Sequence, residues 1–192
     1  MSQIKKWLPV LIVFIAIASM AFPACSDPKE MGQTRGEVKT SQTVAAAKET
    51  VAASKVKGAI YETDKFSILV PDGWVTKDLS VEGIVAVAIT KGEYLMQLAV
   101  YLNPDFTAQH PDALAYSKYL MENSIEQENG TPIEEVTMFD SKFYKTTFTA
   151  DGMDKTGFIG DKNGEVVAIV TGGKDHQNNM EIKAMLDSIK FK

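Results

Sequence analysis

The sequence predicts an α+β fold over residues 58–192, an antiparallel β-sheet covered by helices on both faces as an α/β/α sandwich. Three observations predict it. Asp151-Gly152 and Asn163-Gly164 are two-residue hairpin signals between runs of strand formers, and each supplies the positive φ values such turns need. The strands they join are apolar on both faces, which demands a cover on each side. Two helical stretches, one before the hairpins and one after, carry apolar stripes suited to that task.

The domain is organised around Phe66-Ser67-Ile68-Leu69-Val70-Pro71-Asp72-Gly73-Trp74. Phe66, Ile68 and Val70 alternate with Ser67 and Leu69, the period of a strand with one apolar face turned inward. Pro71 and Gly73 then reverse the chain. Trp74 follows at once and is placed to plug the end of a core, with the closing Phe191 segment expected near it. Ala59 to Tyr61 is a short strand before this stretch. Ile84 to Thr90 and Tyr94 to Leu102 are two more, joined by the hairpin loop Lys91-Gly92-Glu93. After a loop to Pro111, Asp112 is the N-cap of a helix. Its stripe holds Ala113, Tyr116, Leu120 and Ser124 beside Leu114, Met121 and Ile125. Gly130 ends the helix and Pro132 prevents its resumption.

A meander of four strands follows: Ile133 to Phe139, Lys142 to Ala150, Met153 to Gly160 and Glu165 to Thr171. The hairpin signals set the register, placing Ala150 opposite Met153, Phe148 opposite Lys155, Lys162 opposite Glu165 and Gly160 opposite Val167. One face then gathers Tyr144, Phe148, Met153, Ile159, Val166, Ala168 and Val170. The other holds Phe143, Phe158, Val167 and Ile169. The last helix starts near Asn179, with Ile182, Met185, Leu186 and Ile189 at helical spacing.

Charge is unevenly placed along the chain. The whole carries −5, but residues 58–192 hold twelve Lys against twenty-one Asp and Glu, a net −9. The only arginine, Arg35, lies outside that domain. An acidic domain without arginine lacks the usual means of gripping phosphate, so nucleic-acid binding is excluded. A single cysteine, Cys25, permits neither an intramolecular disulfide nor a thiolate cluster. Two histidines, His110 and His176, are too few for a multi-histidine metal site.

Residues 1–24 read as a signal peptide. Lys5 and Lys6 make a basic head, and Trp7 to Phe22 is an uncharged apolar run, too short at ~1.5 Å per residue to cross a ~30 Å hydrocarbon core. The exit, Ala21-Phe22-Pro23-Ala24-Cys25, resembles a bacterial lipobox. Ala24 matches the position before the cut, whereas Phe22 and Pro23 depart from the usual pattern. That resemblance implies that Cys25 is acylated, as by palmitate, and becomes the mature N-terminus. Two alternatives stay open: a cut after Ala21, following the small-x-small pattern of Ser19-Met20-Ala21, and an uncleaved anchor. Residues 25–57 are the lipidated Cys25 and a tether rich in Ala, Thr, Ser, Lys and Gln, without an aromatic residue. Such a segment cannot bury enough apolar surface to offset the entropy of ordering it, and as a coil it spans about 30 Å.

Three features together resemble the PsbP-like superfamily, most nearly the bacterial DcrB-type lipoproteins, over about residues 59–191. They are the opening Lys65-Phe66-Ser67-Ile68-Leu69-Val70-Pro71-Asp72-Gly73-Trp74, a single helix between early and late strands, and the ending Leu186-Asp187-Ser188-Ile189-Lys190-Phe191. The resemblance implies the PsbP-like fold and a role as accessory protein or binding adaptor. It brings no catalytic motif.

Other candidates are read as structural. Asp161-Lys162-Asn163-Gly164-Glu165 lacks the ligand spacing of a calcium loop and is a hairpin. His110 and His176 are expected as solvated loop residues, and Gly172-Gly173 as a plain turn. Glu126, Glu128, Glu134 and Glu135 are expected on solvated faces. Met96, Met121, Met153, Met180 and Met185 are expected as core filler. The reading that results is not an enzyme and needs no cofactor. It is a lipoprotein of the bacterial cell envelope, facing the periplasm or the exterior, held to the membrane by Cys25. Its domain is an interaction or accessory module for another envelope protein. The alternative is a carrier of a small or apolar ligand in a pocket between sheet and helix.

Overall fold

The computed structural model describes residues 56–102, 107–128 and 130–192, with 124–128 described by backbone alone. The chain begins with strands β1 (Gly58–Glu62), β2 (Phe66–Pro71), β3 (Val75–Asp78), β4 (Ile84–Lys91) and β5 (Tyr94–Tyr101). Helix α1 (Ala113–Glu128) follows, then β6 (Glu134–Met138), β7 (Ser141–Ala150), β8 (Met153–Lys162) and β9 (Glu165–Gly172). Helix α2 (Met180–Ser188) and β10 (Lys190–Phe191) close the domain. The strands form two antiparallel sheets, one of three in the order β1-β2-β10 and one of seven in the order β3-β4-β5-β9-β8-β7-β6.

The register of the meander follows from its turns. Ala150 pairs with Met153, Phe148 with Lys155, Lys162 with Glu165 and Gly160 with Val167. Asp151 and Gly152 take φ of 55° and 71°, and Asn163 and Gly164 take 57° and 80°, the left-handed pair that such hairpins require. Because paired residues share a face, Tyr144, Ile159, Ala168, Ala99 and Ala86 line one face in a row. Phe158, Ile169, Leu98 and Val87 line the other.

Helix α1 covers the first face, lying against β7, β8 and β9. Asp112 caps it, its Oδ1 accepting from the backbone N–H of Ala115 at 2.8 Å. The buried stripe is Ala113, Tyr116, Ser117 and Met121. Ser117, outside the expected stripe, is accommodated because its hydroxyl donates back to the Ala113 carbonyl at 2.6 Å.

The second face carries the main core. Val87, Ile89, Met96, Leu98, Val100, Phe143, Val167 and Ile169 pack there with Phe66 and Ile68 of β2 and with Ile182, Met185 and Ile189. The cover is therefore mixed, a strand and a helix side by side, rather than the helical layer that the sequence suggested. Length explains it. A nine-residue helix is only about 14 Å long, whereas seven strands span roughly 29 Å. Ser188 joins the two covering elements, accepting from the Leu69 N–H at 2.8 Å and donating to the Met185 carbonyl at 2.7 Å.

Three local expectations are corrected, and one strand is added. Phe66 and Ile68 are fully buried, but Leu69 is buried too and Val70 is half-buried, because β2 is the central strand of its sheet. Strand β3 has no apolar alternation and exists through its pairing with β4. Phe139 is not strand but the first residue of a two-residue turn, with φ 52° followed by 57° at Asp140. Phe191 pairs with Phe66 and packs edge-on against Phe139 at 5.2 Å, so it sits at the opposite end of β2 from Trp74.

Candidate interaction surface

Trp74 is set by the turn that the sequence announces. Its N–H donates to the Pro71 carbonyl at 3.1 Å, with Gly73 at φ 82° supplying the left-handed residue. The ring is 7% exposed and lies 6.4 Å from that of Tyr94. Its polar end is satisfied by an element far away in sequence. Asn179 caps α2, its Oδ1 accepting from the N–H groups of Glu181 and Ile182 at 2.9 and 3.1 Å. This cap presents Glu181 to the indole N–H, which donates to Oε2 at 2.9 Å. Lys91 Nζ, from the β4–β5 hairpin, donates to the same carboxylate at 3.0 Å. Burial alone would push the Glu181 carboxyl up, but the bonds from Trp74 and Lys91 outweigh it and hold the group below its ordinary value.

Among the described residues the large exposed hydrophobic side chains are Val75, Val81 and Met180, at 66%, 60% and 79%. They do not form one patch. Val75 opens β3 opposite Thr90, and Val81 lies at the other end of β4 opposite Ile84, both on the α1 side of the sheet, whereas Met180 precedes Glu181 on α2, over the other face. All four residues of β3 are exposed, and one side of the strand faces no partner strand. At the opposite edge of the same sheet, β6 carries ion pairs to β7, Glu134 with Lys145 at 3.2 Å and Glu135 with Lys142 at 2.8 Å. The β3 edge carries Lys77 and Asp78, and its side without a partner strand can accept an extended segment by strand addition, with Val75 as an apolar contact.

The sequence reading missed β3, Val81 and Glu181, and placed Met180 in the core. Four exposed residues, Val75 to Asp78, give no core face to read.

The other candidates resolve individually. Cys25, residues 1–24 and the tether up to Lys55 lie outside the described residues. His110 is half-buried and stacks on Tyr119 at 4.3 Å, with Tyr116 edge-on at 6.4 Å. His176 is not solvated. It is 3% exposed in a short 3-10 turn (His176–Asn178), with Nδ1 2.9 Å from the Gly173 carbonyl and Nε2 2.9 Å from Thr156 Oγ1. A carbonyl only accepts, so Nδ1 carries the proton and Nε2 accepts from the Thr156 hydroxyl. That hydroxyl in turn accepts from Gln177 Nε2 at 3.1 Å. A hydroxyl beside an imidazole has the spacing of a nucleophile and base, but Thr156 and His176 are both buried and orient no carboxylate, so the pair is structural.

Asp161 and Glu165 are engaged in the hairpin, the first accepting from the Gly164 N–H at 2.8 Å and the second pairing with Lys65 at 2.7 Å. Gly173 at φ 122° is a turn whose N–H donates to the Asp154 carbonyl. Met96, Met121 and Met185 are core, Met153 is half-buried, and Met180 is the exception already noted. Glu134 and Glu135 are exposed, as expected, whereas the side chains of Glu126 and Glu128 lie outside those described. Among the described residues no group of three or more His, Cys, Asp or Glu side chains could hold a metal.

No family model and no curated protein matches this chain. Among solved structures it is similar to the solution structure of cyanobacterial PsbP (CyanoP) from Synechocystis sp. PCC 6803. The TM-score is 0.49 and the identity 11%, over 75% of this chain and 98% of that one. A protein from Bacteroides thetaiotaomicron VPI-5482 is similar at a TM-score of 0.42 and 10% identity, over 66% of this chain and 45% of that one. Both likenesses concern the path of the chain, and neither carries a statement about activity, ligand or partner.

Proposed function

We propose that this protein is a lipoprotein of the bacterial cell envelope whose domain binds another envelope protein through the β3 edge. Cys25 is the lipidated residue, residues 26–57 are the tether, and residues 58–192 are a non-catalytic accessory module. Kinship with the DcrB-type lipoproteins is part of this proposal and rests on residues 65–74 and 186–191. The observation that carries it is the exposed edge strand β3, one side of which faces no partner strand and whose Val75 is 66% exposed. The engagement of His110 and His176 in packing contacts supports a domain without catalytic chemistry.

The test uses a photoreactive amino acid at Thr76 on the β3 edge or at Thr137 on the β6 edge. One envelope protein should crosslink from position 76, not from 137, and the product should vanish in Val75→Lys. Equal products from both edges, or capture indifferent to that substitution, would overturn the surface. Anchoring is tested separately with a radioactive fatty acid, which should label the wild type and miss Cys25→Ala. Equal labelling would remove the anchor from the proposal.

A further inference from the structure

The chain enters β1 next to the open edge of β3. The Asp72 N–H donates to the Lys57 carbonyl at 3.0 Å, and β3 starts from the same turn at Val75. β1 and β3 both leave from this end, since Gly58 pairs with Pro71 and Val75 follows the turn after it. They stay close along their length, because burial, and then the Asp78 carboxylate, push the Tyr61 phenol of β1 above its ordinary value. A segment that comes before β1 and lies along β3 therefore runs antiparallel to it, as every pair in this sheet does. Reach is sufficient. Residues 52–57 number six and extend to about 20 Å, whereas Asp72 to Val75 is at most about 11 Å.

The residues just beyond that reach are Lys48-Glu49-Thr50-Val51, and they complement Val75-Thr76-Lys77-Asp78 in one antiparallel register. Val51 stands opposite Val75, Thr50 opposite Thr76, Glu49 opposite Lys77 and Lys48 opposite Asp78. Like β-branched residues and opposite charges are the pairs that stabilise neighbouring antiparallel strands. A slip of one residue sets Glu49 against Asp78 in one direction and Lys48 against Lys77 in the other, like charges both times. A slip of two leaves no charge pair at all. Charge alone thus selects the register. Residues 48–51 lie outside the described residues, and all four positions of β3 are exposed to receive them. We propose that residues 48–51 are a strap that adds to the β3 edge as a further antiparallel strand. Its consequence for a partner rests on the reading of this edge as the partner surface, where strap and partner strand compete for one row of N–H and C=O groups. Four pairs on an exposed edge close weakly, but the short connection keeps the strap at high effective concentration, and a longer partner strand displaces it.

The test uses the full chain with Cys25→Ser, so that introduced cysteines are the only ones. Under a mild oxidant, Thr50→Cys with Thr76→Cys should close a disulfide within one chain at least tenfold faster than Thr50→Cys with Thr137→Cys on the β6 edge. Adding Glu49→Lys to the first pair should slow closure about threefold, and adding Lys77→Glu as well should restore it. With Cys25 in place, Glu49→Lys should raise the yield of the partner crosslinked from position 76. Equal closure toward 76 and 137, or a loss that Lys77→Glu does not restore, would overturn the strap, while a partner still crosslinked from 76 would leave the surface standing. Two copies joined through position 76 would put a second chain on the edge and overturn the strap as well. Crosslinking indifferent to Glu49→Lys would overturn the competition. Closure toward 76 with no partner crosslinked there would support the strap and remove the partner surface.

Discussion

The indole N–H of Trp74 donates to Oε2 of Glu181 at 2.9 Å, joining the turn after β2 to the first turn of α2 across 107 residues of chain. Trp74 is thereby a structural residue whose neighbours, Val75 and Met180, face outward. Trp74→Ala should cost about 3–5 kcal/mol, a large share of the ~5–15 kcal/mol that holds a domain folded. In a chain from Gly58 to Lys192 it is the only tryptophan. Its emission should be blue-shifted and poorly quenched by acrylamide. A red, readily quenched emission with an unchanged melting temperature in Trp74→Ala would contradict the burial.

The same carboxylate makes stability depend on pH. Burial pushes Glu181 up, but the bonds from Trp74 and Lys91 leave its folded value below the ordinary one of 4.5. The folded state therefore binds a proton less readily than the unfolded chain. The contribution is complete above the unfolded value and is lost as pH falls through the folded one. Comparing melting temperatures of wild type and Glu181→Gln at pH 7 and then stepwise below 4.5, the gap should narrow toward acid. A gap that does not change with pH would mean that the charge on Glu181 is irrelevant to the Trp74 bond.

The β6–β7 turn places Phe139 and Asp140 at φ 52° and 57°, where side chains are disfavoured. Asp140 is exposed, so Asp140→Gly relieves that cost and should stabilise by about 0.5 kcal/mol. Phe139 instead packs edge-on with Phe143 at 5.8 Å and Phe191 at 5.2 Å, and its carbonyl accepts from Lys162 Nζ at 2.6 Å. Phe139→Gly gains the same relief but loses the ring contacts, and should be destabilised by ~1–2 kcal/mol. Chemical denaturation of the two variants should move the midpoint in opposite directions.

Gly160 keeps β7 and β8 together where Phe143 crosses. A Cβ there would strike the Phe143 ring and come within 2.6 Å of the Lys142 carbonyl, which is backbone and cannot step aside. Gly157, one face over, would meet only side-chain atoms, the Phe148 ring at 3.3 Å and the Thr146 methyl at 3.9 Å. Gly160→Ala should thus cost about 1–3 kcal/mol and clearly more than Gly157→Ala. Equal losses by calorimetry would show that the strand can shift to relieve the overlap.

The core runs from Phe66 to Ile189, so a chain from Gly58 to Lys192 should unfold in one cooperative step. Removing residues through Trp74 takes away β1 and β2, and with them Phe66 and Ile68 of the core, and should abolish the transition. A melting transition that survives this cut would mean that the seven-stranded sheet is stable without its strand cover.

The sequence by itself determined whatever depends on a few adjacent residues. Asp151-Gly152 and Asn163-Gly164 set the register of β7, β8 and β9, because the left-handed pair they need is a local property and a two-residue loop allows one pairing. Asp112 and Asn179 marked where the helices start, since a cap bonds only two or three residues ahead. Apolar residues on both faces of the meander announced a cover on each side. The tertiary structure decided what depends on segments meeting at a distance. β3 is a strand because β4 lies beside it, and its four exposed residues carry no periodic mark of that. His176 sits in a polar connector that reads as solvated, yet Thr156 and the Gly173 carbonyl draw it into the interior. Glu181 reads as an ordinary charge on a helix until Trp74 and Lys91 arrive from the other end of the domain. Tyr101 reads as the last apolar residue of a strand, and only the packing around it leaves its hydroxyl buried without a partner. Turn and cap chemistry acts over a few bonds, whereas burial and pairing are set by which surfaces close on one another, and that closure is a property of the whole fold.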